Sequence, residues 1–192
     1  MATVIPIRVT ERAQALAAEV LELGDIAIDA TAGKGRDTAF LAMAVGPTGH
    51  VHAFDVQAEA ITSTANLIAT AGLSDTVTLH QRSHAEISEA LPQAHQNKAG
   101  VVLFNLGYLP GSDQTIITQP ASTAKALQVA REQIRSGGRV VCVTYTGHPG
   151  GMDESNEVLQ FAMASEKEGF IVNKVGYYAD SAKPWILVVT RP

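Results

Sequence analysis

The feature that most constrains this chain is a glycine turn set between two apolar runs. Ile26-Ala27-Ile28 leads into Asp29-Ala30-Thr31-Ala32-Gly33-Lys34-Gly35-Arg36-Asp37-Thr38, and Ala39-Phe40-Leu41-Ala42 follows. Buried strand, glycine loop and helix form the nucleotide-binding unit of a Rossmann-like sheet. Gly33 and Gly35 permit a sharp turn and leave room for a ligand against the main chain. The loop is not built for phosphate. It lacks a Gly-Lys-Ser/Thr run and the third glycine of a dinucleotide fingerprint, and Asp37 and Thr38 stand where a pyrophosphate needs an open helix N-terminus. Asp29 adds a second carboxylate at the strand end. Acids around a glycine turn repel pyrophosphate and suit a cationic ligand such as S-adenosylmethionine, which carries an ammonium and a sulfonium. The next strand, His50-Val51-His52-Ala53-Phe54, ends at Asp55, twenty residues beyond Gly35. A carboxylate there can accept both ribose hydroxyls. A turn or helix-capping role for Asp55 is the competing explanation. Loop, acid and spacing together point to a class I methyltransferase.

The remaining pattern extends this unit into a complete α/β sheet. Apolar positions at Ala13, Leu16, Ala17, Val20, Leu21 and Leu23 predict a helix over 10–23, capped by Thr10 and stopped by Gly24. It would cover the sheet or the cofactor mouth. Strands are expected at 26–30, 50–54, 77–80, 101–104 and 139–144. Helices are expected at 36–45, 57–71, 120–135 and 153–167, with a short one ending near Leu91. Gly137-Gly138 ends the helix at 120–135. A final pair of strands, 170–178 and 185–190, shares a short polar connection and should be antiparallel. The expected architecture is Rossmann-like: a mostly parallel seven-stranded sheet with a C-terminal antiparallel hairpin and helices on both faces. It forms a single domain over residues 1–192, with no linker, repeat or low-complexity segment.

Chemistry in such a sheet belongs at the carboxyl ends of the strands, where the strand order reverses. Five loops meet there: 29–37, 55–57, 83–84, 105–113 and 145–154. The fourth, Asn105-Leu106-Gly107-Tyr108-Leu109-Pro110, is similar to the Asn-Pro-Pro-Tyr loop of amino-group methyltransferases, with Leu-Gly in place of Pro-Pro. An attacking amine must aim its lone pair at the methyl group. The Asn105 side-chain oxygen and a nearby carbonyl can hold the amine N–H groups, and Tyr108 can stack on a planar base. A strand-end turn, with Asn105 as cap and Tyr108 as packing, is the alternative. The fifth loop carries Tyr145 and His148. His148 could act as a base, a stacking ring or a solvated loop residue. Ser83-His84 occupies the position that commonly meets adenine, with a helix cap by Ser83 as the other explanation.

Composition excludes several classes. No apolar run approaches the roughly 20 residues that span a membrane, and Met1 to Arg12 contains no signal-peptide core. The single Cys142, inside an apolar run, reads as a small core residue. It precludes an internal disulfide and fits a reducing cytoplasm. The six histidines are scattered along the chain, with no metal-ligand spacing. A net charge of −5 supplies no general attraction for nucleic acid, so RNA would have to be met by local cations such as Arg8, Arg12, Lys34 and Arg36.

The cofactor loop, Phe54-Asp55-x-Gln57, Ser83-His84, Phe104-Asn105-Leu106-Gly107-Tyr108-Leu109-Pro110-Gly111 and Gly147-His148-Pro149-Gly150-Gly151 together resemble one bacterial family across nearly the whole chain. These are the putative rRNA methylases, assigned as tRNA 5-aminomethyl-2-thiouridine methyltransferases. The resemblance implies methyl transfer from S-adenosylmethionine to the aminomethyl nitrogen of a tRNA wobble uridine, and a homodimer. It implies cofactor contacts from Asp29, Thr31, Gly33, Lys34, Gly35, Arg36, Asp37, Thr38, Asp55, Gln57, Ser83, His84 and Asn105. Asn105 is then the catalytic residue, and Gly107, Tyr108, Tyr145 and His148 meet the substrate. From the residues alone the reading reaches an amino-group methyltransferase and stops. An rRNA, small-molecule or protein N-methyltransferase remains open at this point, as does a non-catalytic S-adenosylmethionine-binding module.

Overall fold

A computed structural model describes residues 8–107, 120–147, 149–177 and 183–192. Helices and strands alternate through them: α1 (Val9–Ala18), β1 (Ile26–Asp29), α2 (Arg36–Val45), β2 (His50–Asp55), α3 (Ala58–Thr70), β3 (Val77–Gln81), α4 (Ile87–Ala90), β4 (Ala99–Asn105), α5 (Pro120–Gln133), β5 (Ile134–Thr144), α6 (Gly151–Lys167), β6 (Ile171–Val175) and β7 (Trp185–Thr190). The seven strands form one sheet in the order β3-β2-β1-β4-β5-β7-β6. Neighbours from β3 through β5 pair in parallel, and β7 runs antiparallel to both β5 and β6. The strand order reverses between β1 and β4, which opens a crevice at their carboxyl ends.

The central strands are apolar without interruption because both faces are covered. Along β4, Val102 and Phe104 join Ile28, Phe54, Val140 and Leu187 in a core closed by α5 and α6. Val101 and Leu103 point the other way, to Ala27, Val51, Val141 and Ile186 beneath α1 and α2. The two-residue period of the strand divides one apolar run between two cores. Cys142 is fully buried in the first of them, and burial pushes its thiol up. No helix of the described residues is long and apolar enough to cross a membrane.

The largest departures from the sequence pattern are at α1 and β5. Helix α1 starts at Val9, and the backbone N–H of Arg8, not a Thr10 cap, is satisfied by Glu11 Oε2 at 3.1 Å. The helix stops at Ala18, well before Gly24, because the chain must turn into β1. The Gly24 N–H donates to the Val45 carbonyl at 2.8 Å. Asp25 accepts Arg135 Nε at 3.0 Å and Nη2 at 2.7 Å. Val20 and Leu21 still pack on the core after the helix ends, so their apolar period outlasts the helical backbone. The second difference is at β5, which begins at Ile134, so Gly137-Gly138 lies within the strand. Ile134 pairs with Ala99 and Arg139 with Val101, so residues 135–138 bulge out of register. Gly137 has φ +73°, and a Cβ on Gly138 would sit 2.8 Å from the Ala99 carbonyl oxygen. The glycines answer to that bulge rather than to a helix stop.

Candidate active site

Hydrogen bonds lash the loops at the carboxyl end of the sheet to one another. The Ala30 N–H donates to the Leu103 carbonyl at 2.9 Å, and the Ala32 N–H to the Phe54 carbonyl at 2.8 Å. The Asn105 backbone N–H donates to Thr31 Oγ1 at 2.7 Å. The Gly33 N–H donates to Asp55 Oδ2 at 3.0 Å, and the Gln57 N–H to Asp55 Oδ1 at 2.9 Å. Asp55 is half-buried, and each of its oxygens keeps a further lone pair.

Within the glycine turn the residues divide by role. Gly33 (φ +54°) and Gly35 (φ +80°) both take the left-handed conformation. Gly35 is buried against α3, where a Cβ would stand 2.9 Å from the Thr64 Cα, so its lack of a side chain serves loop–helix contact as well as the turn. Lys34 and Arg36 are exposed. Asp29 and Thr38 are fully buried and hold each other. Thr38 Oγ1 donates to Asp29 Oδ2 at 2.6 Å, and the Thr31 N–H donates to Asp29 Oδ1 at 3.1 Å. Burial, and after it the Asp37 carboxylate, push the Asp29 carboxyl up to about 7. These two side chains brace the turn from below and present no surface to the crevice.

Asp37 and Asn105 are joined directly at the carboxyl ends of the central strands. The Asn105 side-chain amide donates to Asp37 Oδ2. Gln14 Nε2, from α1, donates to Asp37 Oδ1 at 2.6 Å. Burial raises the Asp37 carboxyl above its ordinary range, against the lowering effects of Gln14, Asn105 and Arg36. Because a carboxylate accepts and cannot donate, Asp37 fixes the amide orientation and leaves Asn105 Oδ1 as the free acceptor. That oxygen is buried and has no hydrogen-bond partner among the described residues. Tyr145, half-buried after β5, has its phenol raised by burial and then by Asp37, which places it beside the same carboxylate. Gln14 was not among the residues expected from sequence. Its signal was faint: one amide side chain between the buried Ala13 and Ala17 of α1.

Ser83 and His84 follow β3. Ser83 Oγ accepts the Ala85 N–H at 3.2 Å, the capping arrangement, at the start of a short 3-10 turn. His84 is buried beside Phe104, with Nδ1 3.3 Å from the Ala30 carbonyl, and burial lowers its pKa. Gly107, with φ +131°, continues from β4. Tyr108 and His148, both expected at the substrate side, lie outside the described residues.

The structure corrects the view of the histidines as scattered. Four of the six come together on the β2–β3 side of the sheet. His52 is 1% exposed. Its Nδ1 is 3.0 Å from His80 Nε2, and its Nε2 is 2.8 Å from His95 Nδ1. His50 lies against both His52 and His95, and its Nε2 meets Thr78 Oγ1 at 2.8 Å. Both ring nitrogens of His52 are thus used within the cluster. No group of three or more His, Cys, Asp or Glu among the described residues is arranged to hold a metal ion.

Comparison with known proteins identifies the family and the fold. The family model described as Putative rRNA methylase matches residues 51–191. The chloroplastic tRNA (mnm(5)s(2)U34)-methyltransferase of Arabidopsis thaliana is 40% identical over 162 residues, which cover 80% of this chain and 58% of that protein. The chain therefore spans little more than half the length of this relative. Among solved structures, a putative rRNA-methylase from Clostridium thermocellum is 32% identical with a TM-score of 0.90, covering 98% of this chain and 100% of its own. A putative methyltransferase from Streptococcus mutans, solved in complex with SAH, is 30% identical with a TM-score of 0.82 and covers 96% and 98%. A SAM-dependent O-methyltransferase from Thermotoga maritima, at 18% identity and a TM-score of 0.67, shares the fold.

Proposed function

The chain belongs to the family described as Putative rRNA methylase, and from that premise we propose that it methylates the aminomethyl nitrogen of 5-aminomethyl-2-thiouridine at the wobble position of tRNA. S-adenosylmethionine is the methyl donor. The name of the plant relative supports the tRNA and the wobble position, and the Streptococcus mutans complex supports the cofactor.

The residues fit that cofactor. Asp55 has lone pairs to spare for ribose hydroxyls, beside the turn at Gly33 and the backbone of Gln57. Asp37 supplies negative charge for a cationic ligand. When bound, S-adenosylmethionine supplies an electrophilic methyl group.

The observation that carries the amine reading is Asn105 Oδ1. A buried amide oxygen without a partner costs about 1–3 kcal/mol, and this one is left as the free end of the amide by the bond from its own NH2 to Asp37. An N–H donor in the crevice would satisfy it. The substrate amine has such donors, and holding one of them directs the amine lone pair. An aliphatic ammonium, with a pKa near the ~10.4 of lysine, has no lone pair to direct. The site must therefore receive the neutral form, and desolvation in a half-buried crevice favours it. Asn105 orients that amine without acting as a base.

Mass spectrometry of tRNA nucleosides from cells with and without the gene tests the proposal. Loss of the gene should leave 5-aminomethyl-2-thiouridine unmethylated and accumulating. An unchanged level of the methylated nucleoside would refute it.

A further inference from the structure

We infer that Gln14, on α1, is a positioning residue of the transfer site, acting through Asp37 to keep the Asn105 amide oxygen turned toward the incoming amine. The inference rests on the amine-methylation reading above. Its geometry is a relay of two amides on one carboxylate. Gln14 Nε2 donates to one oxygen of Asp37 at 2.6 Å, and Asn105 Nδ2 donates to the other. Gln14 and Asn105 are far apart in sequence, on α1 and at the end of β4, and each enters the site from its own element.

The relay matters because a carboxylate held at one oxygen alone can rotate about its side-chain torsions. A terminal carboxylate torsion is soft, with broad two-fold preferences. Gln14 occupies the second oxygen and closes off that rotation. The first is then presented squarely to the Asn105 amide. If Asp37 turned away or took up a proton, Asn105 could flip and offer its NH2 group outward. That would place a donor against an amine N–H and leave the lone pair undirected.

Helix α1 is suited to this duty. Ala13 and Ala17 are buried against the sheet on either side of Gln14, so the helix is seated by packing independent of the site. Arg139 also ties it down, donating to the Leu16 carbonyl at 2.8 Å and to Glu19 Oε2 at 2.6 Å. The charged and titratable groups around Asp37 are Asp29 from β1, Arg36 on its own turn and Tyr145 after β5. All three are left unaltered by changes at position 14.

The test compares Gln14→Leu, which keeps side-chain bulk without a donor, with Gln14→Lys, which replaces the amide by a cation. Two readouts are taken on the full chain across a pH series. One is single-turnover methylation of hypomodified tRNA. The other is the Asn105 side-chain amide resonance, identified by its loss in Asn105→Ala. In Gln14→Leu the rate should fall about tenfold through lost orientation, with S-adenosylmethionine affinity nearly unchanged. Its acid limb and its amide titration should both move to higher pH, since Asp37 has lost a bond that favours its charged form. In Gln14→Lys both should move to lower pH. Shifts of opposite sign would not arise from a merely structural role, and the lysine arm stands if the leucine variant does not fold. An amide titration that stays in place in both variants overturns the inference. Should the wild-type protein leave tRNA unmethylated, the substrate reading falls, and the amide titration still decides the role of Gln14.

Discussion

Asn105 differs from an ordinary strand-end asparagine in what holds it. Its backbone N–H is taken by Thr31 and its side-chain NH2 by Asp37, which leaves one oxygen with no protein partner among the described residues. Asn105→Ala should therefore keep the fold and nearly normal cofactor binding while methyl transfer falls by roughly two orders of magnitude, about 3 kcal/mol. Asn105→Asp is the sharper control, because it sets a second carboxylate against Asp37. Two such groups in contact share a proton and titrate as a pair. Its rate should fall too, and its optimum should move to higher pH. Single-turnover methylation across a pH series measures both, and wild-type turnover by Asn105→Ala would make the loop structural. Asp55 has a different vulnerability, since it holds the turn at Gly33 as well as the backbone of Gln57. Asp55→Ala should weaken S-adenosylmethionine binding by about 1–3 kcal/mol. Calorimetric titration reads this, and unchanged affinity would remove Asp55 from the site. Asn105 and Asp55 were legible in sequence because each closes an apolar strand at a fixed place in a known unit. Gln14 was not, because a lone glutamine on an amphipathic helix carries no motif, and only the docking of α1 gives it a partner.

At the scale of elements, the pairing of β2 with β3 does something no short window of sequence shows. It sets His52 opposite Thr78, and Phe54 opposite His80, and so brings three histidines to one edge, where His95 joins them. Burial, and then the neighbouring rings, lower His52 to about 3 from an ordinary 6.5. Burial also lowers His50 and His80. A histidine lowered in the folded state takes up its proton first in the unfolded chain. The stability it contributes is complete above pH 6.5 and declines as pH falls toward 3, at about 1.4 kcal/mol per pH unit for each such proton. Asp29 works in the opposite sense. Raised to about 7, it favours the folded state increasingly as pH drops from 7 toward its unfolded value of 3.8. The two trends oppose each other between pH 7.5 and 5, with the raised Asp37 acting on the side of Asp29. Relative to the wild type, the urea midpoint of His52→Phe should climb on acidification across that range, and that of Asp29→Asn should drop. Midpoints that track the wild type in both variants would contradict these roles. Periodicity and glycine punctuation made most elements legible. They failed at Gly137-Gly138, because the same two residues serve a helix stop or a strand bulge, and long-range pairing with Ala99 decides between them.

For the whole molecule, the proposed function requires an acidic protein to meet a polyanion. With a net charge of −5 there is no general attraction. Arg131, Arg135 and Arg139 are each engaged with a carboxylate, to Glu168, Asp25 and Glu19. Arg8 and Arg12 are exposed at the start of α1, and Lys34 and Arg36 on the cofactor turn, the two elements that Gln14 and Asp37 join. On the proposed reading, those exposed cations are the candidates to meet phosphates. Replacing Lys34 and Arg36 together by alanine should weaken tRNA binding and reduce the slope of log affinity against log salt by about 1–2. Filter binding at rising salt checks this, and an unaltered slope would place the RNA elsewhere. The architecture at this scale was legible from the alternation of apolar strands and helices, but the interior position of β7 was not, since strand order is set by packing at long range. That position bears on how the chain is made. β6 leaves the ribosome before β7, yet β7 lies between it and β5. Until residues 185–190 emerge, β5 has an open flank and β6 has no neighbour to join. The growing chain must hold two unpaired strand edges apart for that interval, and the charged Lys174 in β6 makes its edge a poor template for stray pairing.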